Sequence, residues 1–223
     1  MPVRLSPWSR QLVPLLLVAA SVTVLPGCVG KSPEKLLAEA REYAGKGDYR
    51  TASIQLRTLL KGEPDNVEGV LMLAEVALRG NNPALAERNY RRAAELGADP
   101  SRTWAGRMES LLQLGRYDEV LAQAQTPAGL RSFAAPADNA RQALILGRAH
   151  IGLQKFTEAE AYLRESLRVS PTTEAHLELG RLLAATRRQP EAEEELDAAL
   201  ALEPEDPEAL LAKIRDEAPR FGG

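Results

Sequence analysis

Apolar residues along most of this chain recur at helical spacing. From Pro33 onward, Leu36, Leu37, Ala40, Tyr43 and Ala44 follow the i, i+3, i+4, i+7 pattern of one helix face. After a polar turn, Ala52, Leu56, Leu59 and Leu60 make a second face, which Pro64 ends. Ser32, Pro33 and Glu34 supply the start signal: a capping hydroxyl, a proline whose missing N–H costs nothing in the first turn, and an acid that complements the helix dipole. The pattern therefore predicts a hairpin, with helices reaching to about Lys46 and from about Asp48 to Lys61.

The joining turn, Gly47-Asp48-Tyr49-Arg50-Thr51-Ala52, has four close relatives further on. They are Asn81 to Ala86, Gly115 to Val120, Gln154 to Ala159 and Thr186 to Ala192, so the closing residue stands at 52, 86, 120, 159 and 192. The spacings are 34, 34, 39 and 33 residues. A hairpin repeated at this period cannot bury its apolar side alone and must stack on its neighbours. The fold class predicted is all-α, a right-handed superhelical solenoid of five hairpins over 32–204, followed by a capping helix and tail over 205–223. The repeats fall at about 32–65, 66–100, 101–127, 137–171 and 172–204.

Numbering each repeat so that its closing turn residue is position 20 exposes a resemblance to the tetratricopeptide repeat family. Position 20 is Ala52, Ala86, Val120, Ala159 and Ala192, and position 8 is Ala40, Ala74, Met108, Gly147 and Gly180, small in most repeats where the two helices cross. Trp104 falls on position 4, aromatic residues Tyr49, Tyr117 and Phe156 on position 17, and Pro64, Pro171 and Pro204 on position 32. Repeat three, with Met108 and Val120 at the crossing, is expected to be the loosest unit. Between repeats three and four the insertion from Thr126 to Pro136 breaks the helices. It reads either as a contact loop carrying Phe133 or as a surface insertion with Leu130 and Phe133 tucked over neighbouring helices. After repeat five, Ala209, Leu210 and Ile214 are expected to face inward from the capping helix.

The family reads its partners on the first helices, at positions 2, 5, 9, 12 and 13. Position 5 holds Leu37, Leu71, Ala105, Leu144 and Leu177; position 9 holds Arg41, Glu75, Glu109, Arg148 and Arg181; Arg141 is at position 2. What the resemblance implies is a partner-binding groove built from Leu37, Arg41, Leu71, Glu75, Glu109, Arg141, Leu144, Arg148, Leu177 and Arg181. The alternative for the leucines is that they belong to the core between repeats, because repeat helices have wide buried faces. The lysine and asparagine with which the carboxylate-clamp branch captures chain termini are absent from positions 5 and 9.

The N-terminal stretch is of another kind. Residues 1–27 hold Arg4 and Arg10, no acid, and an apolar run from Leu12 to Leu25 that is too short for a spanning helix of about 20 residues. This predicts a cleaved export signal, and Leu25-Pro26-Gly27-Cys28 resembles the bacterial lipobox, which implies a lipidated Cys28 at the head of a short linker over 28–31. Val29 in place of aspartate implies the outer membrane of a Gram-negative bacterium, with the chain facing the periplasm.

Composition narrows the chemistry. A net charge of -3 with scattered signs does not suit a phosphate-tracking surface, so no nucleic acid is expected. One cysteine and two histidines supply neither a disulfide nor a metal set, and His150 and His176 sit at packing positions. The glutamates from Glu191 to Glu195 read as a solvated helix face. No cofactor, metal, small-molecule substrate or enzymatic activity is expected.

From about Ser32 to Leu210 the chain also resembles a narrower family, the tetratricopeptide lipoproteins associated with PEP-CTERM/exosortase protein sorting. The residues that carry this are Ser32 to Leu37, Gly47-Asp48-Tyr49, Ile54-Gln55-Leu56, Glu95 to Pro100 and Leu114 to Leu121. The resemblance implies a non-catalytic scaffold that contacts envelope proteins through its concave groove and supports surface-protein sorting or exopolysaccharide export. The alternative is a pilotin-like lipoprotein assisting an outer-membrane secretion or pilus complex.

Overall fold

The computed structural model describes residues 31–126 and 133–217. The lipobox from Leu25 to Cys28 and Leu130 of the insertion lie outside the described residues. A first compact unit ends at Ser32, and the second, from Pro33, contains all the helices described.

Eleven helices follow one another among the described residues, with no strand. Repeat one is α1 (Pro33–Gly45) and α2 (Tyr49–Gly62); repeat two is α3 (Val67–Arg79) and α4 (Pro83–Glu95). Repeat three is α5 (Pro100–Gln113) and α6 (Tyr117–Ala124), repeat four α7 (Pro136–Gly152) and α8 (Phe156–Val169), and repeat five α9 (Thr173–Ala185) and α10 (Gln189–Leu202). A last helix, α11 (Pro207–Glu217), takes the place of a sixth first helix. The second unit is thus an all-α superhelical solenoid.

One backbone device makes all five hairpin turns. Position 15, occupied by Gly47, Asn81, Gly115, Gln154 and Arg187, is left-handed with φ between 56 and 77°. The next N–H then reaches back five residues, as from Asp48 to the Tyr43 carbonyl (2.9 Å), Asn82 to Ala77 (2.8 Å), and Arg188 to Leu183 (2.9 Å). This satisfies carbonyls that the end of the first helix would otherwise leave orphaned. In the first two repeats the same turn also caps the second helix, with Asp48 and Asn82 accepting from the N–H groups of Thr51 and Leu85.

The crossing of each hairpin is as tight as the small residues require. A Cβ built on Gly147 would stand 2.9 Å from Leu163 and 3.4 Å from the Ala159 carbonyl; on Gly180 it would meet Leu196 at 3.0 Å and the Ala192 carbonyl at 3.3 Å. Positions 8 and 20 therefore do meet. In repeat three Met108 and Val120 are also fully buried. Its departure lies in length: α6 has 8 residues where the other second helices have 13 or 14.

Phe133, from the described end of the insertion, packs on the core of repeat three. Phe133 packs on Trp104 with ring centroids 6.3 Å apart. Asn139 holds it there, accepting from the Phe133 N–H and donating to its carbonyl, both at 2.8 Å. The tucked reading of Phe133 is the one the structure shows.

The capping helix corrects the sequence reading. Ala209 is fully buried and Ala212 nearly so, whereas Leu210 is 42% exposed and Ile214 63%. Helical spacing identified an apolar face but not the side that meets the preceding repeat. Small residues at positions 3 and 6 let α11 lie close on α9 and α10, and this turns Leu210 and Ile214 outward.

Candidate binding surface on the first helices

The leucines of position 5 lie beneath the stack of first helices. Leu71, Leu144 and Leu177 are 2%, 3% and 5% exposed, and only Leu37 is half-buried. Leu144 joins Ala175 and Leu179 of the next repeat, and Leu177 joins Ala209 and Ala212 of α11. Of the two readings of these leucines, burial decides for the core: Leu144 and Leu177 are roofed by the next first helix, where Ala175 and Ala209 allow close approach, and Leu71 is buried among Ala74, Tyr90 and Ala98. They hold the surface from below.

What the surface presents instead is a ladder of ion pairs. Position 9 of one repeat pairs with position 2 of the next: Arg41 with Glu68 at 3.0 Å, Glu75 with Arg102 at 2.5 Å, Arg148 with Glu174 at 2.7 Å and Arg181 with Glu208 at 3.1 Å. Glu109 and Arg141 hold the remaining rung electrostatically. Of the predicted site residues, Arg41, Glu75, Glu109, Arg141, Arg148 and Arg181 thus share one face, each set against an opposite charge from a neighbouring repeat. Their partners Glu68, Arg102 and Glu174 stand at position 2, which sequence also places on the groove face, but the pairing of position 9 with position 2 of the next repeat, and Glu208 with it, was not predicted.

The middle of the ladder is the most enclosed part. Arg148 also lies 2.9 Å from Glu178 and 3.6 Å from Glu109. Burial works against its charge, but Glu178, Glu174 and Glu109 more than offset this and hold the guanidinium above its ordinary value. Burial pushes the Glu109 carboxyl up, against the pull of Arg148 and Arg141. Beside Arg148 a cleft of about 240 Å³ is lined by Leu177, Glu178, Glu203 and Asp206. A second, of about 350 Å³, lies between Arg181, Leu196, Ala212 and Arg215.

Both histidines pack against neighbours. His150 stacks on Tyr162 at 5.2 Å, with burial pushing its pKa down, and His176 Nδ1 contacts Glu195 at 2.6 Å. Among the described residues no group of three or more His, Cys, Asp or Glu is placed to hold a metal ion. No described helix is long and apolar enough to cross a membrane.

A stack of helical hairpins with a shared face of first helices defines the class of helical-repeat proteins. The tetratricopeptide repeat model matches residues 37–103, 71–126 and 144–213, more than half of the chain, and the chain belongs to that family. Among solved structures it is similar to PilW, described as a widely conserved type IV pilus biogenesis factor, with 22% identity, 85% of this chain and 92% of the other covered, and a TM-score of 0.68. Pseudomonas aeruginosa PilF gives 23% identity, 84% coverage of both chains and a TM-score of 0.62. A thermophilic repeat protein of Thermus thermophilus gives 19% identity, coverage of 85% and 100%, and a TM-score of 0.63. At these identities the likeness is one of fold. No curated protein matches the chain.

Proposed function

We propose that this chain is a non-catalytic protein-binding scaffold, tethered through lipid on Cys28 to the periplasmic side of a Gram-negative outer membrane. The observation that carries the binding role is the first-helix face, a continuous surface whose charged side chains are pre-ordered by pairing between repeats. Ordering before binding reduces the entropy that a partner's arrival must remove, and opposite charges in fixed places favour one register over others. The anchor rests on the lipobox resemblance and the short apolar run before it.

The envelope role follows from the narrower resemblance: support of surface-protein sorting or exopolysaccharide export, by contact with envelope proteins. A pilotin-like role in assembling a pilus or secretion complex is the second reading. It is favoured by the comparisons with PilW and PilF, each of which covers most of both chains.

Labelled fatty acid tests the anchor: it should enter the wild-type chain and fail to enter Cys28→Ala, and equal incorporation would refute lipidation. Photo-crosslinking from Arg79, exposed on a first helix, tests the scaffold. Specific envelope proteins should be attached in living cells, a pilus or secretin subunit supporting the second reading and sorting or export components the first. No attachment from Arg79 or from the exposed face of α11 would remove the scaffold reading.

A further inference from the structure

A single recognition step recurs along this solenoid, and the copy on α11 is open among the described residues. In repeats one, four and five, position 5 is leucine and position 9 arginine: Leu37 and Arg41, Leu144 and Arg148, Leu177 and Arg181. Each pair receives a helix that opens with glutamate in second place and glycine or alanine in third. These are Glu68-Gly69 on α3, Glu174-Ala175 on α9 and Glu208-Ala209 on α11. The glutamate pairs with the arginine at 2.7 to 3.1 Å in all three. In the last two the alanine lies in one cluster with the leucine, whereas Gly69 sits against Leu59 and Leu60 of α2.

On α11 the same two residues return as Leu211 and Arg215. Here Leu211 is 59% exposed, and Arg215 is exposed with no ion pair among the described residues. Leu210 and Ile214 stand beside it at positions 4 and 8, which the other first helices bury or largely bury. The result is an apolar stripe along one helix, bordered by a cation, of the kind that takes an amphipathic helix.

We infer that the outer face of α11 is a docking site for a helix of a partner protein that begins with glutamate followed by glycine or alanine, its glutamate on Arg215 and its small residue over Leu211. The inference rests on the scaffold reading and names its partner's chemistry. A second copy of this chain fits less well. Its own first helix opens Pro33-Glu34-Lys35, with lysine where the three seated helices have glycine or alanine. Three aliphatic side chains on one helix also fall short of the roughly 800 Å² per partner of a standard interface between folded chains.

The probe is a labelled synthetic peptide of residues 172–186, which carries Thr172 as its cap and Glu174-Ala175 in the required places. Binding to the full chain in detergent is followed by fluorescence anisotropy. The wild-type chain should bind it, and Leu211→Lys should weaken binding at least tenfold. Ile214→Lys provides a second variant, and circular dichroism should show both folded, since both side chains are exposed. Glu174→Gln in the peptide should weaken binding about threefold to the wild type and have no effect on Arg215→Gln, which would place the two groups together. Absence of binding, or equal binding to Leu211→Lys and Ile214→Lys, would overturn the inference; the latter would mean that the peptide enters by displacing α9. A dimer in sedimentation that dissociates on Leu211→Lys would also overturn it, by making a second copy the occupant. Photo-crosslinks from Arg79 with none from position 211 would refute this site and leave the scaffold standing, and none from either would remove both.

Discussion

Leu177 and Leu211 hold the same place in consecutive first helices, and each has an arginine four residues on. Leu177 is 5% exposed beneath Ala209 and Ala212, whereas Leu211 is 59% exposed. Position in the repeat fixes what a side chain can contact, but the neighbour decides whether it becomes core or surface. This is the property of a quasi-one-dimensional fold, in which each repeat touches little beyond the next.

The largest consequence should appear at those two leucines. Leu177→Ala should cost about 2 to 5 kcal/mol, since it empties a buried site, while Leu211→Ala should stay within about 0.5 kcal/mol. Equal urea midpoints would break the comparison. Position 8 gives a second contrast. Gly180→Val should cost about 1 to 3 kcal/mol by overpacking against Leu196, whereas Ile214→Val on the exposed face should be nearly silent, as thermal melts would show.

The arginines differ in a pH-dependent way. Arg148→Gln should cost about 1 to 2 kcal/mol at neutral pH, by leaving Glu109, Glu174 and Glu178 close together without their cation. A carboxyl raised in the folded chain, as Glu109 is, holds its proton more tightly there than when unfolded. Its stabilising effect is present at low pH and lost as pH rises through the folded value. The Arg148→Gln penalty should therefore shrink from pH 7 to pH 4, while Arg215→Gln should be insensitive to pH over that range. A turn gives a small gain instead of a loss: Arg187→Gly should stabilise by about 0.5 to 1 kcal/mol, because Arg187 carries a left-handed φ of 63° that glycine adopts without strain. A chemical denaturation curve would measure it.

The repeating hairpins were legible in sequence for a physical reason. Turns that need a left-handed residue and crossings that need a small one recur at fixed spacing, so Gly47, Asn81 and Ala159 announce themselves. The pairing on the first-helix face was harder to see, because each rung joins residues 26 to 32 apart: Arg41 and Glu68 are separated by 27. Reading position 9 and position 2 as separate columns hides a rule that operates between repeats. The outward turn of Leu210 and Ile214 was not legible from periodicity, since α11 offers both an alanine face and a leucine face at helical spacing. Fit to α9 selects the smaller one.

The difference between the closed and open steps is measured most directly by thiol labelling, with Cys28→Ser removing the native cysteine and Leu177→Cys or Leu211→Cys adding one probe at a time. Leu211→Cys should react at close to the rate of an unhindered thiol, Leu177→Cys at least a hundredfold more slowly, and saturating peptide 172–186 should protect Leu211→Cys alone. Similar rates at the two sites, or protection of neither by the peptide, would contradict the picture of one recognition step closed within the chain and presented open at α11.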